Sequence, residues 1–180
     1  MRKNILVIST SLRKGSNSEA LADKFIEGAK EAGHEVKKIS LRGKKIEFCQ
    51  GCLSCQKTGH CFIHDDAEEI TQEMQKADVI VFATPIYYYE MSGQMKTMLD
   101  RANALFSLEY RFRDIYMLTT AAEESEQSPQ RAVSGLEGWI ACFEKARLAG
   151  TIFAGGVDEA GAIENHPALE KAYESGRNVR

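Results

Sequence analysis

Thirteen residues carry four of the chain's five cysteines: Cys49-Gln-Gly-Cys52-Leu-Ser-Cys55-Gln-Lys-Thr-Gly-His-Cys61, a C-x2-C-x2-C-x5-C spacing. Thiols this close along a chain suit soft-metal ligation or thiol–disulfide exchange, because both need sulfur atoms that a short backbone can bring together. Zinc would take all four thiolates, or three of them with His60 or His64. Zinc sites more usually pair two C-x2-C knuckles at a distance, however. A redox-active thiol pair, and a loop that packs its thiols without any metal, stand beside these readings.

A second set of chemical groups lies near the N-terminus. Ser9-Thr-Ser-Leu-Arg-Lys-Gly-Ser-Asn-Ser18 offers five hydroxyls, one amide and two cations just after an apolar run and just before a helical pattern. Hydroxyls and backbone N–H groups donate to phosphate oxygens, and the positive end of a helix favours the anion. The loop is neither G-x-G-x-x-G nor a Walker loop, which weighs against a dinucleotide or a triphosphate. A polar turn with an N-cap would explain one or two of these residues but not the set. Further on, Thr84-Pro-Ile-Tyr-Tyr-Tyr-Glu-Met-Ser-Gly93 places a stiffening proline ahead of three tyrosines, a source of flat apolar surface.

These loops need a scaffold, and the hydrophobic pattern supplies one. Ile5–Ile8 and Asp78–Ala83 are apolar, β-branched runs of the kind buried on both faces of a parallel sheet. Val36–Leu41, Asp114–Leu118 and Thr151–Ala154 complete five expected strands, with Val36–Leu41 nearest the edge. Helical spacing joins Leu21, Phe25 and Ala29, then Ile70 and Met74, then Met95, Met98 and Leu99, then Leu136 and Ile140, and finally Leu169 and Tyr173. Gly33 ends the first helix, Asp66 and Glu69 stand at capping-box spacing, and Ser128-Pro129 reads as a cap and first turn. Strands alternating with helices require a parallel sheet covered on both faces. The two dozen or so residues between the second strand and the next helix, which hold the cysteines, are long enough to suggest function. Cys142, beside Trp139 and Phe143, reads as a small buried hydrophobe, and His34 and His166 as helix-end groups.

With 180 residues, 43% hydrophobic and 27% charged, the chain suits one domain over 1–180 with one core. A formal net charge of −3 argues against a nucleic-acid partner. The short apolar run after Met1-Arg-Lys-Asn4 is too brief for a signal core or a membrane span. The expectation is therefore a cytoplasmic protein without membrane attachment, in which an odd number of cysteines points to metal or catalysis rather than disulfides.

Ser-x-Arg-x-Gly-Ser-Asn-Ser after a first strand resembles the phosphate loop of the flavodoxin-like NAD(P)H-dependent FMN reductases. Thr84-Pro85-Ile86-Tyr87, then Ser92-Gly-Gln-Met-Lys96 and Leu99-Asp-Arg101, are similar to that superfamily's T-P-x-Y…G-x-x-K…x-D-R stretch. The resemblance continues to Gly155-Gly156-Val-Asp and the tail through Gly176, nearly the whole chain. It implies a flavodoxin-like three-layer α/β sandwich with a five-stranded parallel sheet in order 2-1-3-4-5. FMN would lie where strand order reverses. On this resemblance Ser9, Ser11, Arg13, Ser16, Asn17 and Ser18 serve the phosphate. Thr84, Pro85, Ile86, Tyr87, Tyr88 and Tyr89 lie against the ring, and Thr119, Thr120 and Ala121 meet its pyrimidine edge.

The cysteine spacing resembles the iron–sulfur flavoprotein branch, in which four thiolates hold a [4Fe–4S] cluster beside FMN. Cys49, Cys52, Cys55 and Cys61 would then be the ligands. Two x2 gaps let a loop wrap three corners of a cube, and Cys61, followed by Phe62 rather than proline, would close the same cluster. The loop leaves the second strand at the sheet edge that carries both flavin loops, so a cluster is expected near the ring. The implied activity is transfer of electrons from NAD(P)H through FMN to a quinone, a flavin or another small acceptor, with no side-chain acid–base pair. An electron carrier passing single electrons to a ferredoxin-like partner is the alternative. A non-redox phosphate- or metal-binding regulatory module is another. The exposed aromatic loop suits a homodimer or homotetramer.

Overall fold

The computed structural model describes residues 1–180. Five strands form a parallel sheet: β1 (Asn4–Ser9), β2 (Glu35–Ser40), β3 (Val79–Tyr87), β5 (Asp114–Thr120) and β6 (Arg147–Ala154), in the order β2-β1-β3-β5-β6. A two-residue strand, β4 (Glu90–Met91), turns back on the end of β3. With β4 set aside, this is the expected 2-1-3-4-5 winding. The helices are α1 (Asn17–Glu31), α2 (Ser54–Thr58), α3 (Asp66–Lys76), α4 (Gly93–Arg101), α5 (Gln130–Ile140) and α6 (Ala168–Arg177), with a 3₁₀ turn over Ala102–Ser107.

Period-two alternation along the central strands sends side chains to two cores. Leu6, Ile8, Ile80 and Phe82 pack under α3, α4 and α5 against Met74, Met95, Met98 and Leu136. Ile5, Val7, Val79 and Val81 pack under α1 and α6 against Leu21, Phe25 and Ala172. Both faces of β1 and β3 are therefore dry, which is why those strands read as continuous apolar runs. The edge strands β2 and β6 keep only Ile39, and Ile152 and Ala154, buried. On the second face α1 and α6 touch through glycines. A Cβ on Gly28 would stand 2.0 Å from the Tyr173 carbonyl oxygen, and one on Gly176 would stand 2.0 Å from that of Phe25.

Several local expectations change. β3 does not stop at Ala83 but runs on through Thr84-Pro85-Ile86-Tyr87, because Thr84 and Pro85 pair with Thr119 and Thr120, and Ile86 and Tyr87 pair with β4. For the same reason Thr119 and Thr120 are strand residues rather than loop. β6 begins at Arg147, four residues early, through a half-exposed stretch with a register shift at Ile115/Tyr116 that hydropathy does not reveal. Asp65, not Asp66, caps α3, its side chain accepting from the Ala67 N–H. Pro129 occupies the cap position of α5, and the buried Ser128 hydroxyl has no partner in the protein. Cys142 is exposed, since the chain leaves α5 two residues earlier. His34 does tie an end: Nδ1 accepts from the Lys3 N–H, and Nε2 lies 3.1 Å from the Val179 carbonyl oxygen.

Candidate functional site

The carboxyl ends of β1, β3 and β5 open on a cleft at the point where strand order reverses. One wall is the loop after β1 with the start of α1. Gly15, at φ +67°, turns this loop so that Ser16 caps α1, Oγ accepting from the Glu19 N–H at 3.2 Å. The N–H groups of Ser16, Asn17 and Ser18 find no acceptor in the protein. The Ser16 and Ser18 hydroxyls stand 3.5 Å apart, and Ser11 Oγ accepts from the Arg13 N–H. Free N–H groups, three hydroxyls and a helix N-terminus together are the donor set that an anion would need.

Ser9, Asn17 and Arg13 engage the protein itself, although the last two also line the cleft. Ser9 is fully buried beneath this wall, its hydroxyl unpartnered. The Asn17 side chain donates to the carbonyls of Val157 and Glu159 and accepts from the Ile163 N–H, so it brackets the segment after β6. The Arg13 guanidinium donates to the Asp158 carbonyl. These contacts bring Val157 and Asp158 into the rim of the cleft. Neither is among the site residues named from sequence, although the Gly155-Gly156 pair ahead of them is a signal. A Cβ on Gly155 would stand 2.7 Å from the Glu123 carbonyl oxygen, so only glycine lets the two loops approach.

The opposite wall is the β3–β4 hairpin. Pro85, Ile86 and Tyr87 line the cleft, while Thr84 is fully buried and hydrogen-bonded to Ser92. Tyr88 and Tyr89 form the two-residue tip at φ +50° and +65°, the left-handed geometry that such hairpin turns demand. Tyr88 is 98% exposed and, with Tyr89, stands outside the lining. Thr120, Ala121 and Ala122 close the third side. Thr119 instead points into the sheet, donating to the Ile152 carbonyl at 3.2 Å.

A phosphate-bearing group with a flat ring fits this arrangement, anion donors at one end and apolar surface at the other. A wider hollow of ≈ 550 Å³ lies across Leu12, beside Ile46 and Phe48. Size favours the hollow, but its lysines, Lys44 and Lys96, are already paired with Asp66 and Asp100. Donor chemistry favours the cleft.

The thiol loop lies elsewhere. Its two ends meet at the buried Arg101–Asp65 pair. Arg101 donates to both Asp65 oxygens, at 2.6 and 2.9 Å, to the Glu47 carbonyl at 2.7 Å and to the Ile63 carbonyl at 3.1 Å. Burial alone would push the Asp65 carboxyl up, but the bonds from Arg101 and from the N–H groups of Glu47 and Ala67 outweigh it and hold it below the usual range. Between these ends Cys55 is buried, its sulfur accepting from the Asn103 amide at 3.3 Å, while Cys49 and Cys52 are exposed. The Ser54 hydroxyl and N–H hold the Cys52 thiol below its usual range. Cys61 is half-buried in a small cavity beside Arg101, whose Nε has no acceptor.

No three of the His, Cys, Asp and Glu side chains converge to hold a metal ion. As placed, the four thiols do not form a cage. Cys55 packs against Asn103 of the 3₁₀ turn and Cys61 lies beside Arg101 at the end of α4, while Phe48, next to Cys49, lines the hollow shared with Leu12 and Gly93.

Comparison with known proteins adds the following. The family model described as NADPH-dependent FMN reductase matches residues 3–156. An iron–sulfur flavoprotein of Archaeoglobus fulgidus is 35% identical over 91 residues, covering 51% of this chain and 41% of that protein's length. One from Methanosarcina thermophila is 28% identical over 164 residues, covering 91% of this chain and 83% of the relative. Among solved structures, an NAD(P)H:quinone oxidoreductase from Methanothermobacter marburgensis superposes with a TM-score of 0.74 at 16% identity, over 99% of this chain and 97% of that one. The last likeness concerns the fold.

Proposed function

The chain belongs to the NADPH-dependent FMN reductase family, and from that premise we propose that it is an FMN-dependent oxidoreductase moving electrons from NAD(P)H to a quinone, a flavin or another small acceptor. The observation that carries this reading is the cleft at the topological switch point, with unpaired N–H groups and serine hydroxyls at one end and Pro85-Ile86-Tyr87 at the other. FMN bound there supplies the hydride chemistry.

The protein's part is placement. Ser11, Ser16 and Ser18 hold the phosphate with the α1 N-terminus. Pro85, Ile86 and Tyr87 wall one side of the ring and keep water from it. Thr120, Ala121 and Ala122 face its remaining edge. Arg13, Tyr87 and Asp158 are the titratable side chains in the lining, and none forms an acid–base pair with a histidine. Hydride transfer needs none. Donor and acceptor then use one exposed face in turn, so kinetics with NADPH and a quinone should be ping-pong, with parallel double-reciprocal lines. Intersecting lines, or no turnover with NADPH or NADH, would overturn the proposal. A second copy of the chain covering the exposed tyrosine hairpin belongs to the same proposal, since Tyr87, Tyr88 and Tyr89 are each at least half exposed.

The cysteine spacing and the relatives named iron–sulfur flavoproteins favour a second reading, in which the chain also carries a cluster and relays single electrons to a ferredoxin-like partner. It requires segment 48–62 to refold inward from its clasped ends. Iron and acid-labile sulfide, at about four of each per chain after oxygen-free purification, would support it. Their absence would remove it.

A further inference from the structure

Three buried hydroxyls, none of them in the lining, connect the segments that lead into the two walls of the cleft. Thr10, Thr84 and Ser92 are 0%, 0% and 1% exposed. Ser92 Oγ stands 3.0 Å from Thr10 Oγ1 and 3.1 Å from Thr84 Oγ1, and it accepts from the Met95 N–H at 3.3 Å as the cap of α4. The Ser92 N–H donates to Thr84 Oγ1 at 3.2 Å. Thr10 is the first residue beyond β1, where the chain turns into the anion loop, and its N–H donates to the Ala83 carbonyl. Thr84 is the last residue before Pro85. One serine from α4 therefore joins the loop that would hold a phosphate to the strand that would flank a ring.

A closed cap on α4 needs only Ser92 and the Met95 N–H. Hydrogen-bonding Ser92 to hydroxyls from two other elements goes beyond capping, and each of these groups would be costly to bury without the others. The three hydroxyls tie Thr10, just before Ser11 of one wall, to Thr84, just before Pro85 of the other. A ligand that reaches both walls behaves as a bivalent one. Once its ring is seated, its phosphate meets the anion loop at an effective concentration that depends on that distance being held. Riboflavin reaches only one wall and gains nothing from the spacing.

We propose that Thr10, Ser92 and Thr84 are positioning residues that fix the spacing of the two walls and thereby make the site select phosphorylated flavin over riboflavin. The proposal rests on the flavin reading given above. Its test is titration of flavin-stripped Ser92→Ala and Thr10→Val proteins with FMN and with riboflavin, followed by flavin fluorescence and visible circular dichroism. FMN should weaken by about tenfold or more, the effect of losing one well-made hydrogen bond, while riboflavin changes by less than about threefold. The preference for FMN then collapses, and Ser92→Thr, which keeps the hydroxyl, restores it. Equal weakening of both flavins marks a merely structural role and overturns the proposal, as does no change in either. Thr10→Val keeps the α4 cap, so it decides the matter if Ser92→Ala does not fold. A wild-type chain that binds neither flavin overturns the flavin reading itself, a distinct outcome.

Discussion

Arg101 carries a buried positive charge and directs four of its five N–H groups at the ends of the thiol loop. Removing one partner of such a pair leaves the other charge uncompensated, at a cost of about 3–5 kcal/mol. The carboxyl of Asp65 titrates below its usual range. Its stabilising effect is thus complete above the unfolded carboxylate value, about 4, and is lost as pH falls through the lower folded value. Urea unfolding of the wild type and Asp65→Asn should show a wide stability gap near neutral pH that narrows below about pH 4. A gap constant down to about pH 3 would contradict the clasp. Arg101 was visible in the sequence only as the end of Leu99-Asp-Arg101, since nothing in its neighbours says that Glu47 and Ile63 return to it. Asn17 shows the same limit. Its type and position suit an anion loop, but its three hydrogen bonds go to residues some 140 positions away.

At the scale of elements, close backbone approach and strained turns matter most. Gly28→Ala should destabilise the fold by about 1–3 kcal/mol, because the added carbon meets the Tyr173 carbonyl across the α1–α6 contact. A thermal midpoint unchanged by that substitution would mean that the two helices can part freely. The hairpin tip is the opposite case. Tyr88 and Tyr89 occupy left-handed backbone, which costs an ordinary residue roughly 1–2 kcal/mol, and Tyr88 is almost fully exposed. Replacing the pair with Asn-Gly should therefore raise the thermal midpoint while raising the KM for a quinone, since strain retained at a cleft mouth suggests a role there. A lowered midpoint would show that the tyrosines pack where the isolated chain does not show it. The hairpin itself was illegible in advance because β3 continues past Ala83 only by pairing with β5 and β4, partners far along the chain.

Across the whole molecule, winding order and both cores follow from apolar runs and helical spacing that any reader of the chain can count, since β1 and β3 are buried on both faces. The loop proposed to hold phosphate was legible for the same reason: hydroxyls, glycine and a helix start fall directly after the first strand. The thiol loop was not. Spacing alone places four sulfurs within reach of one another, but it does not reveal that the loop's ends are clasped by Arg101 or that Cys55 is buried against Asn103. No helix is long and apolar enough to cross a membrane. Because binding to the folded state stabilises it, FMN at about a hundred times its Kd should raise stability by about 2.7 kcal/mol, seen as a higher unfolding midpoint. Riboflavin at the same concentration should raise it less. The most direct measurement is anaerobic titration of the flavin-stripped chain with FMN, followed by addition of NADPH while the flavin absorbance is watched. One FMN should bind per chain and its absorbance should bleach on NADPH addition, then return when a quinone is added. A chain that takes up no FMN, or whose bound FMN neither NADPH nor NADH can bleach, would contradict an FMN-dependent oxidoreductase.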